Sequence, residues 1–428
     1  MINLGTPPAK APAGDATEPW QPRVHARGGL NERAILRVGL LLSVGFLTAA
    51  LIVALATASG MQWAAIHLAL AGSSMVAVGT FMPHFGVTLA GAVPSPAPLR
   101  LSGVLALAIG AALVVVGVAM GPTFAAFIGA GFIWIGLGVT AWTTFMPTRG
   151  PLARRHPIAQ VAYAVALVEV AVGIALPVLL LAGWDPAVAG WSSFKPVHVW
   201  LNLFGFISLT ITATLVYLYP TIVGTRIRMH PSLMLMVVGG IAGPPLVAIG
   251  AAVSSQPVAA IGAAVALAGG IGHLWFAFDV WGRRARWTTD PAWHRLTVGH
   301  ISAGMAWYVV SIATALVGIM RDGASPAGWM LGALALPLIA GWALQVLIGT
   351  ASHLVPAMVT TQSQIRARQR VTLSRMATAR LVTWNAGVLL AWAGLGLGSS
   401  AAAVAGVALL ALAAATSITR LGRALLVA

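Results

Sequence analysis

Apolar stretches of about 18 residues or more recur from Val38 to the end of this 428-residue chain, and no other feature narrows its fold so far. Each stretch is long enough to cross a bilayer core of about 30 Å. No water reaches that core, so each crossing must satisfy its own backbone polar groups, which leaves helices or a closed barrel. The alternating pattern of a barrel strand is absent, and the prediction is therefore an all-α integral membrane protein. Composition agrees. The chain is 59% hydrophobic and 7% charged, with a mean hydropathy of +0.92, where soluble domains carry about 25% charge.

Charged clusters and Pro/Gly punctuation divide the chain into about twelve crossings. They are predicted at 37–58, 62–92, 101–120, 124–146, 157–183, 197–222, 231–253, 258–281, 295–319, 328–354, 378–397 and 400–418. Residues 1–35, rich in Pro, Gly and charge, lack the early apolar run of a secretory signal and read as a disordered cytoplasmic tail. The twelve-helix membrane domain is then 36–420, and 421–428 is a C-terminal tail.

The net charge of +16 would suggest nucleic acid in a soluble protein, but topology accounts for it better. With the N-terminus inside, 22 of the 24 Lys and Arg fall on the cytoplasmic side, and only Lys195 and Arg321 fall outside. That asymmetry predicts a multi-pass protein of the plasma membrane with both termini cytoplasmic, partnered by the lipid bilayer and not by nucleic acid. Trp63, Trp184, Trp191, Trp281 and Trp329 lie near predicted helix ends, where amphipathic rings favour the headgroup layer.

Several chemistries are absent. There is no cysteine, so disulfides, iron–sulfur clusters and zinc–thiolate sites are excluded, and a metal would need His, Met, carboxylate or an organic cofactor. No Gly-rich phosphate loop or Ser-His-Asp order stands out, and the 94–102 loop lacks the signature of a major-facilitator transporter.

An internal repeat is visible in crossings two, six and ten. Gly79-Thr80 precedes Pro83, Ala213-Thr214 precedes Pro220, and Gly349-Thr350 precedes Pro356. The threonines are 134 and 136 residues apart, a period of four helices repeated three times. Small residues permit close helix approach, and the proline ends or kinks the helix.

Ionisable groups within a membrane are costly and are functional candidates. His25, His156, His230 and His294 fall in tails or cytoplasmic loops. His67 and His198 both lie near the outer ends of their crossings, at similar depth, and two neutral imidazoles there could hold a haem iron or share a copper ion. Each alone reads equally as an interfacial residue bonded to nearby backbone. His84 lies about 25 Å deeper than His67. With His300 and His353 it could form a second, inner polar cluster, or these residues anchor at the headgroups. His273 sits below the middle of the eighth crossing. Glu169, alone in the middle of the fifth, could relay protons, pair with a histidine or bond another helix, and Asp279 beside Arg283 and Arg284 reads as an interfacial ion pair.

The stretch His198-Val-Trp200-Leu-Asn202-Leu-Phe-Gly205, running to Tyr219-Pro220, resembles a motif of haem–copper oxidase subunit I relatives. Ile66-His67-Leu68 and the Leu347-to-Pro356 segment are similar to the same group, which includes NnrS-type membrane proteins and membrane domains found with multicopper oxidases. The resemblance implies twelve helices in three four-helix arcs, a haem ligand at His67 and a metal ligand at His198. It also implies departures. Trp200 stands where the motif has a second histidine, the seventh crossing has no histidine pair for copper, and 328–340 has none for haem. A working dioxygen-reducing centre is therefore not expected. The expectation is a protein binding haem b and/or copper, acting in electron transfer, nitrogen-oxide tolerance or metal handling, with a redox partner protein. The competing expectations are a small-solute transporter or permease, and a membrane scaffold for another subunit.

Overall fold

The structure, a computed structural model, describes residues 31–56, 62–149, 157–324 and 330–427, and no strand occurs among them. Residues 1–30 of the predicted 1–35 tail, with His25, and also His156 and Trp329, lie outside the described residues. Twelve long helices follow one another: α1 (Glu32–Ala56), α2 (Gln62–Ala90), α3 (Ala97–Met120), α4 (Thr123–Phe145), α5 (Pro157–Leu181), α6 (Trp191–Val223), α7 (Pro231–Ala252), α8 (Gln256–Gly282), α9 (Pro291–Asp322), α10 (Met330–Leu344 continuing as Gln345–Met358), α11 (Ala377–Gly396) and α12 (Ser400–Leu426). All but α11 contain a segment long and apolar enough to cross a membrane. In α11 the polar residues Arg380 and Asn385 are turned inward, Arg380 to Ser417 on α12 and Asn385 to Trp307 on α9. The protein is an all-α, multi-pass membrane protein.

Several boundaries differ from the sequence reading. α1 begins at Glu32, within the expected tail, because Asn31 caps it by accepting from the Ala34 amide and because Glu32 pairs with Arg100 of α3. α6 begins at Trp191, six residues before the expected start, and carries Pro196 inside the helix. The expected tail at 421–428 is helical through Leu426, since Leu421, Ala424 and Leu425 are buried. The loop between α10 and α11 holds a further helix, Ser363–Ser374, whose Leu373 is fully buried and whose Gln369 donates to the Ala424 carbonyl.

The fourfold helix period is built into the packing. The third and fourth helices of each unit form a tight hairpin on small residues. A β-carbon on Gly110 of α3 would stand 2.7 Å from the Gly129 carbonyl of α4. One on Gly250 of α7 would stand 2.3 Å from the Ala259 nitrogen of α8, and one on Gly406 of α12 would stand 2.1 Å from the Ala391 nitrogen of α11. Successive units meet through α4 and α5, α8 and α9, and α12 and α1. The second helices, α2, α6 and α10, stand at the centre around a small, mostly apolar cavity of about 80 Å³ lined by Phe81, Met82, Thr210, Thr214, Val346 and Thr350.

These three central helices share a distortion. Each contains a π-helical segment, at Leu68–Ser74, Trp200–Ser208 and Met330–Leu344, and each returns to α geometry five residues before the repeated threonine. In the first two the last π residue is a serine, Ser74 or Ser208, whose hydroxyl donates five residues back, to Ala69 or Leu203. Such wide turns leave backbone groups and side chains re-aimed, and they concentrate at functional positions. The threonines do not share an environment. Thr80 packs on Gly39 of α1, whereas Thr214 and Thr350 line the central cavity.

Candidate metal site

Two histidines from different units meet on the side of the protein opposite Glu32. His67 is the last α-helical residue of α2 before its π segment, and His198 stands two residues before the π segment of α6. Their ring centres are 6.4 Å apart and their planes differ by 14°. Both are half-buried. Trp63 stacks on His67 at 4.0 Å.

Each ring is oriented by a backbone carbonyl. The His67 Nδ1 hydrogen donates to the Trp63 carbonyl at 2.8 Å, and the His198 Nδ1 hydrogen donates to the Gly173 carbonyl of α5 at 2.8 Å. The second bond has a cause in the sequence. A helical carbonyl normally accepts from the amide four residues on, and four residues after Gly173 is Pro177, which has no N–H. The Gly173 carbonyl is thus left free inside α5, and His198 takes it. Gly173 also lets α6 approach, because a β-carbon there would lie 2.3 Å from Asn202 Nδ2. Asn202 donates to the His198 carbonyl at 2.6 Å, which steadies the turn carrying the imidazole.

With Nδ1 protonated on both rings, both Nε2 atoms carry a lone pair, and neither has a hydrogen-bond partner among the described residues. Neutral imidazole nitrogens of this kind can ligate a metal, and ligating histidines commonly carry such a bond at their other nitrogen. An ion bridging two imidazoles stands about 2.0–2.1 Å from each nitrogen, and the 6.4 Å between ring centres is of the order such a bridge spans. No group of three or more His, Asp or Glu able to hold a metal occurs among the described residues.

Haem fits less well. Trp200, in place of the motif's second histidine, is buried and stacks on Phe204 at 4.0 Å. Phe204 leads to Tyr308 of α9, which stacks on Trp342 of α10 at 4.7 Å, and His273 of α8 packs edge-on against both. Polar edges in this aromatic core are satisfied internally. The Trp342 N–H donates to Ser208 at 2.8 Å, the His273 Nδ1 hydrogen donates to Gly269, and His273 Nε2 lies 2.9 Å from Thr212. The core around Trp200, Tyr308, Trp342 and His273 is therefore packed with side chains, and His273 is no free ligand, while a separate cavity of about 390 Å³ opens between α6, α8 and α9, lined by Tyr219, Phe278, Arg295 and Ser302.

The inner polar residues do not assemble into the second cluster. His84 donates to Glu32 at 2.8 Å, and the same carboxylate holds Arg100. His353 stacks on Trp293 at 5.1 Å, on the other side of the unit boundary. His300 is fully buried between Trp384 and Gly349, with neither nitrogen bonded. Glu169 is buried on α5, against Gly205 of α6, and neither carboxyl oxygen has a hydrogen-bond partner. His230 caps α7, and His294 stacks on Trp287. Asp279 pairs with Arg283 at 2.6 Å, as the sequence suggested. Sequence reasoning missed the Gly173–Pro177 pairing and the aromatic core. The first had a visible signal, a proline four residues after a glycine in an apolar helix, but its partner could be found only once α6 was placed.

In comparisons with known proteins, the chain matches no family model and no curated sequence.

Proposed function

We propose that this chain is a membrane protein that holds one copper ion between His67 and His198, on a twelve-helix frame of the haem–copper oxidase subunit I kind without a dioxygen-reducing centre. One observation carries the reading: two near-parallel imidazoles 6.4 Å apart, each fixed through Nδ1 by a backbone carbonyl and each with Nε2 free. Imidazole suits copper among the first-row metals, and a two-nitrogen set suits the low coordination numbers of the cuprous ion. Copper, when bound, supplies one-electron exchange. The protein's own part is to present two neutral nitrogens, keep their rings in register through Gly173 and Trp63, and bring Trp63 alongside. The aromatic core in place of the interior ligands supports metal handling or electron transfer rather than oxygen reduction. A redox partner protein would act at this same face.

The 22-to-2 distribution of Lys and Arg supports a plasma-membrane protein with both termini in the cytoplasm, which puts the histidine pair on the outer side. The test is equilibrium dialysis of purified protein against cuprous ion. One copper per chain is expected, with loss of binding in His67→Ala and in His198→Ala. Equal copper in all three would remove the proposal.

A second reading, passage of a small solute, has one observation in its favour. Glu169 is buried in α5 with both carboxyl oxygens unbonded, and an intramembrane acid of that kind marks many ion and proton paths. Proteoliposome flux that Glu169→Gln abolishes would favour it.

A further inference from the structure

The last hundred residues are chemically lopsided. Between Asp322 and the C-terminus there is no acid, yet Arg366, Arg368, Arg370, Arg375, Arg380, Arg420 and Arg423 all fall there. Of these, Arg370 alone has a carboxylate partner among the described residues, Asp290 at 3.0 Å. Four of the others, Arg375, Arg380, Arg420 and Arg423, meet at one corner. The helix Ser363–Ser374 packs on α12, and its last carbonyls are taken by arginines: Thr372 accepts from Arg420 and Leu373 accepts from Arg380. Arg420 lies within electrostatic reach of Arg375, Arg423 and Arg380.

Arg380 makes the imbalance acute. It is only 4% exposed, its other contact is the Ser417 hydroxyl, and its Nε is unbonded. A buried cation without a counter-charge is strongly unfavourable. Arginines that serve only to set topology can stay in water, spread apart. Here three of them, Arg375, Arg420 and Arg423, are drawn together over a fourth that is sealed in, and no carboxylate among the described residues pairs with any of them. Their place fits a phosphodiester. The corner is at the end of α12, which packs on α1, at the membrane face where α1 begins with Glu32.

We infer that Arg375, Arg420 and Arg423, backed by the buried Arg380, form a binding site for the headgroup of an anionic phospholipid. The guanidinium forks match phosphate oxygens, and each arginine near an anionic membrane surface contributes about 1 kcal/mol. Three together correspond to a preference on the order of a hundredfold.

Native mass spectrometry of the full chain, released from mild detergent and titrated with phosphatidylglycerol or phosphatidylcholine, tests this. One retained phosphatidylglycerol per chain is expected, with affinity about a hundredfold lower in R375Q/R420Q/R423Q and about fivefold lower in R423Q alone. Arg423 is exposed, so the single variant does not depend on tolerance of the triple one. Equal retention of phosphatidylcholine would overturn the site, as would unchanged retention in both variants. Displacement of the lipid by millimolar inorganic phosphate would show a free-anion site instead. An acidic protein that co-purifies and leaves with no lipid dependence would show a protein interface instead.

Discussion

Pro177→Ala separates the metal site from the scaffold because its two effects have opposite signs. Proline within a helix removes one hydrogen bond and crowds the preceding turn, at a cost of about 3 kcal/mol. Alanine at 177 restores the amide that the Gly173 carbonyl lacks, so α5 becomes more stable. The same change damages the site, since that carbonyl must now serve both the new amide and His198 Nδ1. A carbonyl has two lone pairs, so the bond to His198 weakens without vanishing. A hydrogen bond contributes about 0.5–1.5 kcal/mol net, and loss of a partner behind a metal-binding histidine lowers affinity by about 10–100-fold. The lower end, about tenfold, is expected here. The assay is competition for cuprous ion against a chromophoric chelator in detergent, run beside a thermal unfolding curve. The variant should melt higher and bind copper more weakly. In the His198→Ala background the rise in melting temperature should persist. Copper affinity unchanged within about twofold, with a raised melting temperature, would refute the reasoning, because Pro177 would then have no part in orienting His198.

Other substitutions probe the packing around the site. Gly205→Ala drives a β-carbon into the Glu169 carboxyl and should cost about 1–3 kcal/mol in chemical denaturation, with most of it recovered in the Gly205→Ala/Glu169→Ala pair. Glu32→Ala strands the buried Arg100 guanidinium and removes the partner of His84, and a loss of about 3 kcal/mol is expected, whereas Glu32→Leu with Arg100→Leu should cost much less. Trp342→Phe removes the donor to Ser208 while keeping most of the ring stack on Tyr308. It should lower stability by about 1–2 kcal/mol and leave copper binding unchanged, since that core lies apart from the histidine pair.

Much of the scaffold was legible because membrane crossing is a strong constraint on composition. The apolar runs and the arginine asymmetry gave twelve helices, and most ends fell within a few residues of those observed. The exceptions are instructive. The start of α1 and the end of α12 carry Glu32 and Arg420, charged residues that read as tail but are held by partners on other helices, and the last turns of α12 bury Leu421, Ala424 and Leu425. Such partners are distant in sequence and cannot be read from a window. The threefold repeat was visible as Thr80, Thr214 and Thr350, yet its physical basis lies elsewhere, in the glycine hairpins of α3–α4, α7–α8 and α11–α12 and in the three π segments. The Gly-Thr spelling marks the register of the repeat and not a common contact.

For the site, residue type and depth brought His67 and His198 forward, since both had to lie near one face of the membrane. Depth alone could not reveal that α2 and α6 bring these rings within 6.4 Å, or that Pro177 frees the carbonyl that orients one of them. The inner residues failed as a cluster because equal depth is not proximity. His84 stands in the first unit, Glu169 in the second, and His300 and His353 on neighbouring helices of the third, and each has different neighbours.

The central claim concerns one ion on two imidazoles, and X-ray absorption at the copper edge of the loaded protein addresses it most directly. The spectrum should show two nitrogen neighbours with the outer-shell scattering of imidazole and no sulfur, and His198→Ala should abolish it. A sulfur neighbour from methionine, a coordination shell of four protein ligands, or a spectrum that survives His198→Ala would contradict the account.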